Sequence, residues 1–367
     1  MARVPGAIRE RRGRAAAERR GSLRGGAAPE PGLRTAEGSG LCYPRPFPDT
    51  AVLVLLVAGC ELRCVFCRSP QPQAGVRPPT AAEALALVRQ AHPRRRLLIT
   101  GGEPTARDDL LALCAEARRA GFAEVQIQTH GGRLADAAFT GALVRAGATG
   151  VDLPLYAAAA EVHDRVTGVA GSQARALAGA ATARAGGLDV AVHTTLFADT
   201  LDQLPGVLRL AASCGGRRIS AEPVALIDDL AAYAAETPRL GPLGDAVAAA
   251  LDGAGRGDRA ALTFASIPPC ALPARTRRRR PRLGRPRPVP RRGAIPLGYS
   301  EVLAAITDGA SRAYGSACSP CRLRRSCAGV PAEYLRAFGE GALPARDLTG
   351  GPARLTRSRT RAPGRRP

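Results

Sequence analysis

The 367-residue chain contains no lysine and no tryptophan, only four histidines, and only 4% aromatic residues. Without Trp, and with so few rings, Leu, Val, Ile and Ala must fill the core. Every basic residue is therefore Arg, which together with the Ala excess suggests a GC-rich coding bias. Long apolar runs are also missing. The longest, "AVLVLLVAGC", is about ten residues, whereas a membrane helix needs about 20, so no membrane partner is expected. No apolar segment precedes residue 50, so a secretory signal is not expected either. These absences point to a cytoplasmic, reducing setting, where cysteines bind metal or do chemistry more often than they form disulfides.

The net charge of +22 suggests nucleic acid until it is located. Residues 1–40 carry +5, residues 275–292 carry +10 and residues 353–367 carry +6, which leaves about +1 for everything else. All three stretches are rich in Gly, Pro or Ala and lack apolar periodicity, so they read as unstructured. The folded part is near neutral, which argues against a dedicated nucleic-acid groove. The expected organisation is an Arg-rich arm over 1–45, a core over 46–260, a smaller region over 261–345 with an Arg-rich insert at 275–292, and a basic tail over 346–367.

Between these stretches the pattern alternates. Buried-strand runs at 51–59, 96–104, 123–132, 150–157, 188–197 and 217–226 are separated by helical segments, and 261–270 starts a possible further strand. Thr80 with Glu83 forms a capping box at the head of the first helix. Six βα units in about 200 residues imply an α/β fold, a partial (β/α)6 barrel of parallel strands, because a closed eight-unit barrel takes about 250. The site of such a fold lies at the C-terminal ends of its strands. Three features fall there: the cysteine loop "CELRCVFC" after strand one, "GGEP" after strand two, and "THGG" after strand three.

Cys60, Cys64 and Cys67 are three thiols from one loop, with no fourth Cys or His nearby in sequence. Soft thiolates select zinc, Cu(I) or iron–sulfur clusters, and a structural zinc site closes with four ligands. "CELRCVFC" fits C-x3-C-x2-C with Phe66 before the last cysteine, and it resembles the signature of the radical S-adenosylmethionine (SAM) superfamily. "GGEP", 34 residues further on, is similar to that superfamily's second motif. The resemblance covers about residues 50–270. It implies that Cys60, Cys64 and Cys67 hold a 4Fe-4S cluster whose open iron is chelated by SAM. It further implies that Gly101, Gly102 and Glu103 receive the SAM amino group, that Pro104 stiffens the exit, and that Phe66 lies near the adenine. One electron from the cluster, supplied by an external donor such as flavodoxin or ferredoxin, would then cleave SAM to a 5'-deoxyadenosyl radical that abstracts hydrogen from a substrate.

"QTHG" resembles the family's Thr-Asn-Gly ending of strand three with His130 in place of Asn, so Thr129 and His130 are expected to face the SAM pocket. Strand four carries Pro154 where many members have a Ser that reaches SAM. His193 and Thr195 share one face of strand five and are candidate pocket residues. "HDRVTG" at 163–168 resembles a loop after strand four, with His163 structural.

A second set follows the core: Cys270, then Cys318, Cys321 and Cys327 in C-x2-C-x5-C spacing. Four thiolates complete a shell for one 4Fe-4S cluster or for zinc. The trio resembles the C-terminal SPASM and twitch extensions of radical SAM enzymes. A full SPASM region would carry another Cys four residues on, where Pro331 stands. That implies a small C-terminal auxiliary-cluster domain with one auxiliary 4Fe-4S cluster. Cys114 and Cys214 lie on helices as small hydrophobes; Cys42 stands apart.

The substrate expected from the twitch-like extension is a peptide or protein side chain. The alternatives are a small molecule or nucleotide, as in molybdenum-cofactor synthesis, and a non-catalytic iron–sulfur or zinc scaffold. The nucleotide relative's Gly-Gly tail is not matched, since the sequence ends "APGRRP". A scaffold would have no use for "GGEP". No residue stands out as an acid or base acting on the substrate.

Overall fold

The computed structural model describes residues 50–54, 60–67, 78–91, 94–216, 218–223, 230–255, 262–265, 267–278, 283–284, 312–324, 327 and 329–343. The Arg-rich arm, the basic tail, Cys42 and most of the Arg-rich insert fall outside them.

The strands are β1 (Thr50–Val54), β2 (Arg96–Thr100), β3 (Glu124–Gln128), β4 (Gly150–Pro154), β5 (Asp189–Leu196), β6 (Arg218–Pro223), β7 (Leu262–Ala265) and β8 (Leu283–Gly284). They form one sheet in sequence order, and each pairs parallel with the next. Helices α1 (Ala81–Gln90), α2 (Leu110–Arg119), α3 (Ala137–Arg145), α4 (Ala160–Thr167), α5 (Ser172–Ala185), α6 (Leu204–Ser213), α7 (Leu230–Glu236) and α8 (Leu240–Gly253) fill the crossovers. This is the expected α/β partial barrel, open between β1 and β8 among the described residues. Beyond the six βα units it carries the further strand expected at 261–270, here β7, and one more short strand, β8.

In β2, β3 and β4 alternate residues share one face. Leu97, Ile99, Val125, Ile127, Val151 and Leu153 are buried in one apolar cluster with Ala84 and Val88 of α1 and Leu110 and Leu113 of α2. Their neighbours in sequence point to the opposite face, away from the helices, and that face is polar. Arg96 pairs with its register partner Glu124 at 2.6 Å, Arg218 with Asp189 at 2.6 Å, Thr100 hydrogen-bonds Gln128, and His193 Nδ1 lies 3.1 Å from Asp152 Oδ1. Such pairing suits a part-buried polar face, where unpaired groups would carry part of their desolvation penalty. A second apolar cluster joins Val192 and Leu196 of β5, Val207 of α6, Val247 of α8 and Phe264 of β7 to Val330, Tyr334 and Leu343 near the C-terminal end.

The Thr80–Glu83 capping box is present, Thr80 Oγ1 accepting from Glu83 N at 3.3 Å and Glu83 Oε2 accepting from Thr80 N at 2.8 Å. Two expectations are corrected. "HDRVTG" is the last turn and cap of helix α4 rather than a loop. Its polar residues suggest a loop in sequence, but they are consumed in tertiary bonds. The Arg-rich insert is not wholly irregular: α9 (Ala274–Arg278) is helical and β8 pairs with β7.

Candidate active site

The site is built where β2, β3 and β4 end. The chain leaves β2 through Gly101 and Gly102, at φ 97° and 57°. Those left-handed conformations are open to glycine at little cost, and they turn the backbone sharply across the strand mouth. Pro104 is buried at the head of a 3-10 turn over Pro104–Ala106. Glu103 is 2% exposed. Its Oε1 accepts from Thr105 N at 2.9 Å, Thr105 Oγ1 at 2.6 Å and Thr129 Oγ1 at 2.6 Å, and its Oε2 accepts from His130 N at 2.9 Å. The carboxylate thus joins the end of β2 to the end of β3, and Thr129 faces this knot.

The cysteine loop lies over α4. The last carbonyls of a helix lack intrahelical partners. Here Thr167 O accepts from Arg63 N at 2.8 Å and Val166 O from Val65 N at 2.9 Å. Gly168 follows at φ 70°, and a Cβ there would stand 2.8 Å from Arg63 O. Asp164 secures this platform, accepting from Gly171 N at 2.5 Å, Ser172 Oγ at 2.8 Å and Gln173 N at 3.0 Å. Burial opposes ionisation of Asp164, but these bonds outweigh it and hold the carboxyl below its ordinary value. His163 is buried with Nδ1 3.2 Å from Ser172 Oγ, and burial lowers its pKa. Replacing Gly168 by alanine is therefore expected to cost about 2 kcal/mol or more, from the left-handed strain plus the contact with the loop backbone. It should also slow iron uptake at the three-cysteine site; urea unfolding and iron analysis check both.

Phe66 turns into an aromatic cluster, edge-on to Tyr156 at 5.2 Å and tilted against Phe197 at 5.3 Å. Tyr156 and Phe197 follow β4 and β5, so this cluster clamps the loop to the middle of the sheet. It has no signature in sequence spacing. His193, beside Pro154 in register, lies below Tyr156 with ring centroids 6.5 Å apart.

The thiols converge electrostatically. Burial raises Cys60 to about 11, with Glu103, Glu61 and Cys67 adding to it. Burial and then the charges of Cys67 and Cys60 raise Cys64 to about 12. Tyr156 is pushed well up by burial and by the same three thiols. Cys60 and Cys64, which resist ionisation first through burial and then through neighbouring charge, are poorly placed as isolated thiolates and well placed for a positively charged iron core, which binds thiolates. The donor set therefore fits a three-cysteine iron–sulfur cluster. Cys60 Sγ also lies with a Glu61 carboxylate oxygen and a His130 ring nitrogen inside a mutual 4.8 Å.

In the second set, burial comes first and Cys327, Cys318 and Cys321 follow as causes that raise Cys270 to about 12, so these three thiols lie within electrostatic reach of Cys270. Cys270 lies in the 3-10 turn Pro269–Ala271, and Cys318 ends another over Ser316–Cys318. Gly329 N donates to Cys327 Sγ at 3.3 Å. Cys114 is fully buried in α2, and Cys214 caps α6 half-buried. No helix among the described residues is long and apolar enough to cross a membrane.

Against known proteins, a PqqA peptide cyclase of Gluconobacter oxydans is 29% identical over 177 residues, covering 47% of this chain and 49% of that protein. A probable GTP 3',8-cyclase of Thermococcus kodakarensis is 34% identical over 130 residues, covering 35% and 41%. The crystal structure of Streptococcus suis SuiB gives a TM-score of 0.47 at 18% identity, covering 59% of this chain and 49% of SuiB, a likeness too loose to carry an assignment. The chain thus spans about half the length of the curated relatives it matches. Residues 54–211 match the Radical SAM superfamily. That span holds the three-cysteine loop, the Gly-Gly-Glu-Pro turn and the strand ends between them, so the residues singled out here fall inside the part of the chain that is similar to the radical SAM superfamily.

Proposed function

We propose that this chain is a radical SAM enzyme that takes hydrogen from a peptide or protein side chain. The observation that carries the reading is the docking of Cys60, Cys64 and Cys67 beside the Gly101–Glu103 turn at the strand mouths. Cys60, Cys64 and Cys67 would hold the 4Fe-4S cluster. When bound, the cluster supplies the electron that splits SAM, and the adenosyl fragment removes the substrate's hydrogen. The protein's own contribution is binding, orientation and exclusion of water. With Glu103 already committed to four donors, the SAM amino group would be met by backbone of the Gly101–Glu103 turn. Phe66, held by Tyr156 and Phe197, closes the adenine side. His193 and Asp152, on the polar face under the loop, line the path toward the substrate.

Cys270, Cys318, Cys321 and Cys327 would complete one auxiliary 4Fe-4S cluster, and an external reductant of the flavodoxin or ferredoxin kind would feed the first. The PqqA cyclase similarity supports a peptide substrate. The similarity to probable GTP 3',8-cyclases supports the second reading, a nucleotide. Anaerobic reconstitution should give about eight irons per chain, four to each cluster, and 5'-deoxyadenosine from SAM under reduction. Tight zinc without SAM cleavage would overturn the enzyme reading. Cys318→Ala is expected to drop iron to about four per chain and to spare SAM cleavage while stopping turnover. Turnover is scored with GTP and with any small peptide encoded beside this gene, which separates the two substrates.

A further inference from the structure

His130 reaches both sequence motifs at the strand mouths. Its Nε2 lies 3.1 Å from Glu61 Oε1 in the cysteine loop and 3.0 Å from Glu103 Oε2 in the turn after β2. Its Nδ1 accepts from Gly132 N at 3.1 Å. A nitrogen that accepts carries no proton, so in the neutral ring the proton is on Nε2, between the two carboxylates. Gly132 leaves room for the ring, since a Cβ there would stand 3.0 Å from its Cε1.

Two roles compete for this cluster. Cys60, Glu61 and His130 are close enough to share a divalent cation, and thiolate, carboxylate and imidazole are zinc ligands. A neutral imidazole that binds metal through Nε2 must carry its proton on Nδ1 and give it to an acceptor. Here Nδ1 faces an N–H, a donor. The cation role would put two donors against each other at Nδ1, whereas a proton on Nε2 meets two carboxylate oxygens at contact distance, an electrostatic attraction although neither is aligned as a hydrogen bond.

We infer that His130 is a positioning residue, a latch that ties the Cys60 end of the cysteine loop to the Gly-Gly-Glu-Pro turn through Glu61 and Glu103. The Phe66 end of the loop is fixed by α4 and the aromatic cluster. The latch fixes the other end and sets Cys60 against the turn before any cluster is present. This rests on the proposed radical SAM site, but its test does not need SAM cleavage.

The metal-free full chain is treated with iodoacetamide, and alkylation is followed peptide by peptide. A local opening that costs one such polar contact changes access by about tenfold. Glu61→Ala, at a side chain 57% exposed, should therefore raise the alkylation rate of Cys60 about tenfold and leave Cys270 unchanged. Glu61→Gln, which keeps an acceptor, should restore the slow rate. His130→Ala should match or exceed Glu61→Ala. In the reconstituted protein, Glu61→Ala should keep its iron but alter the cluster's paramagnetic resonance shift on adding SAM. Unchanged Cys60 alkylation in both alanine variants overturns the latch. So does one tightly held zinc ion in the metal-free chain that is lost in His130→Ala, since that outcome makes these residues ligands. Failure of SAM cleavage in the unmodified chain with the alkylation pattern intact would instead count against the proposed activity alone.

Discussion

Cys64→Ala should abolish SAM cleavage, by at least about 100-fold, since losing even an outer-shell partner of a metal ligand commonly costs 10–100-fold. Iron should fall from about eight to about four per chain, one cluster's worth. No local rearrangement can supply a substitute. The residues on either side of Cys64 are pinned, Arg63 N to Thr167 O and Val65 N to Val166 O, so the loop cannot slide to present another group. Cys114 is fully buried inside α2 and out of play. The mutant should still fold, because Cys64 stands outside both main apolar clusters. Retained iron at eight per chain with undiminished 5'-deoxyadenosine would remove Cys64 from the ligand set.

Glu103→Ala should have the largest effect on stability. Its carboxylate is the common acceptor for Thr105 N, Thr105 Oγ1, Thr129 Oγ1 and His130 N. Removing it leaves four donors facing a void at a position only 2% exposed. Each buried unsatisfied group costs about 1–3 kcal/mol, and water entering the void offsets part of that, so a loss of about 3–5 kcal/mol is expected. In a chain of this size that is about 10 °C in Tm. Glu103→Gln keeps one acceptor oxygen but turns a donor toward His130 N–H, and should lose about half as much. Unfolding followed in the metal-free chain separates this from any effect on cofactor binding. An unchanged Tm in Glu103→Ala would show that the network does not hold the strand ends together.

Much of the scaffold is legible in the order of residues. Parallel strands alternating with amphipathic helices leave few topologies, and the helix start at Thr80 follows from its capping box. The positions of the cysteine loop and the Gly-Gly turn follow from counting strands. What is not legible is what meets across space. Residues 163–168 look like a polar loop because Asp164, Thr167 and their neighbours spend their hydrogen bonds on α5 and on the cysteine loop. Tyr156 and Phe197 are 41 positions apart, and nothing in their spacing says that both pack on Phe66. The His130 contact with Glu61 spans two crossovers. Thr129 matches a Thr-Asn-Gly ending and His130 departs from it, yet what they bind, Glu103 and Glu61, emerges only once β2 and β3 are side by side.

The second apolar cluster runs from β5 through α8 and β7 to Val330, Tyr334 and Leu343. Tyr334 Oη accepts from Leu240 N at 3.0 Å and so caps the start of α8, and Gly244 of that helix lies so close to Ala271 that a Cβ would stand 1.8 Å from its carbonyl. The segment bearing the second cysteine set is therefore not an interchangeable cassette. A hybrid that grafts a foreign C-terminal region after residue 260 would leave α8 without its cap and half of the barrel without its apolar lining. Lineages of this fold would then have to alter the two parts in concert, residue against residue, rather than trade one for another whole.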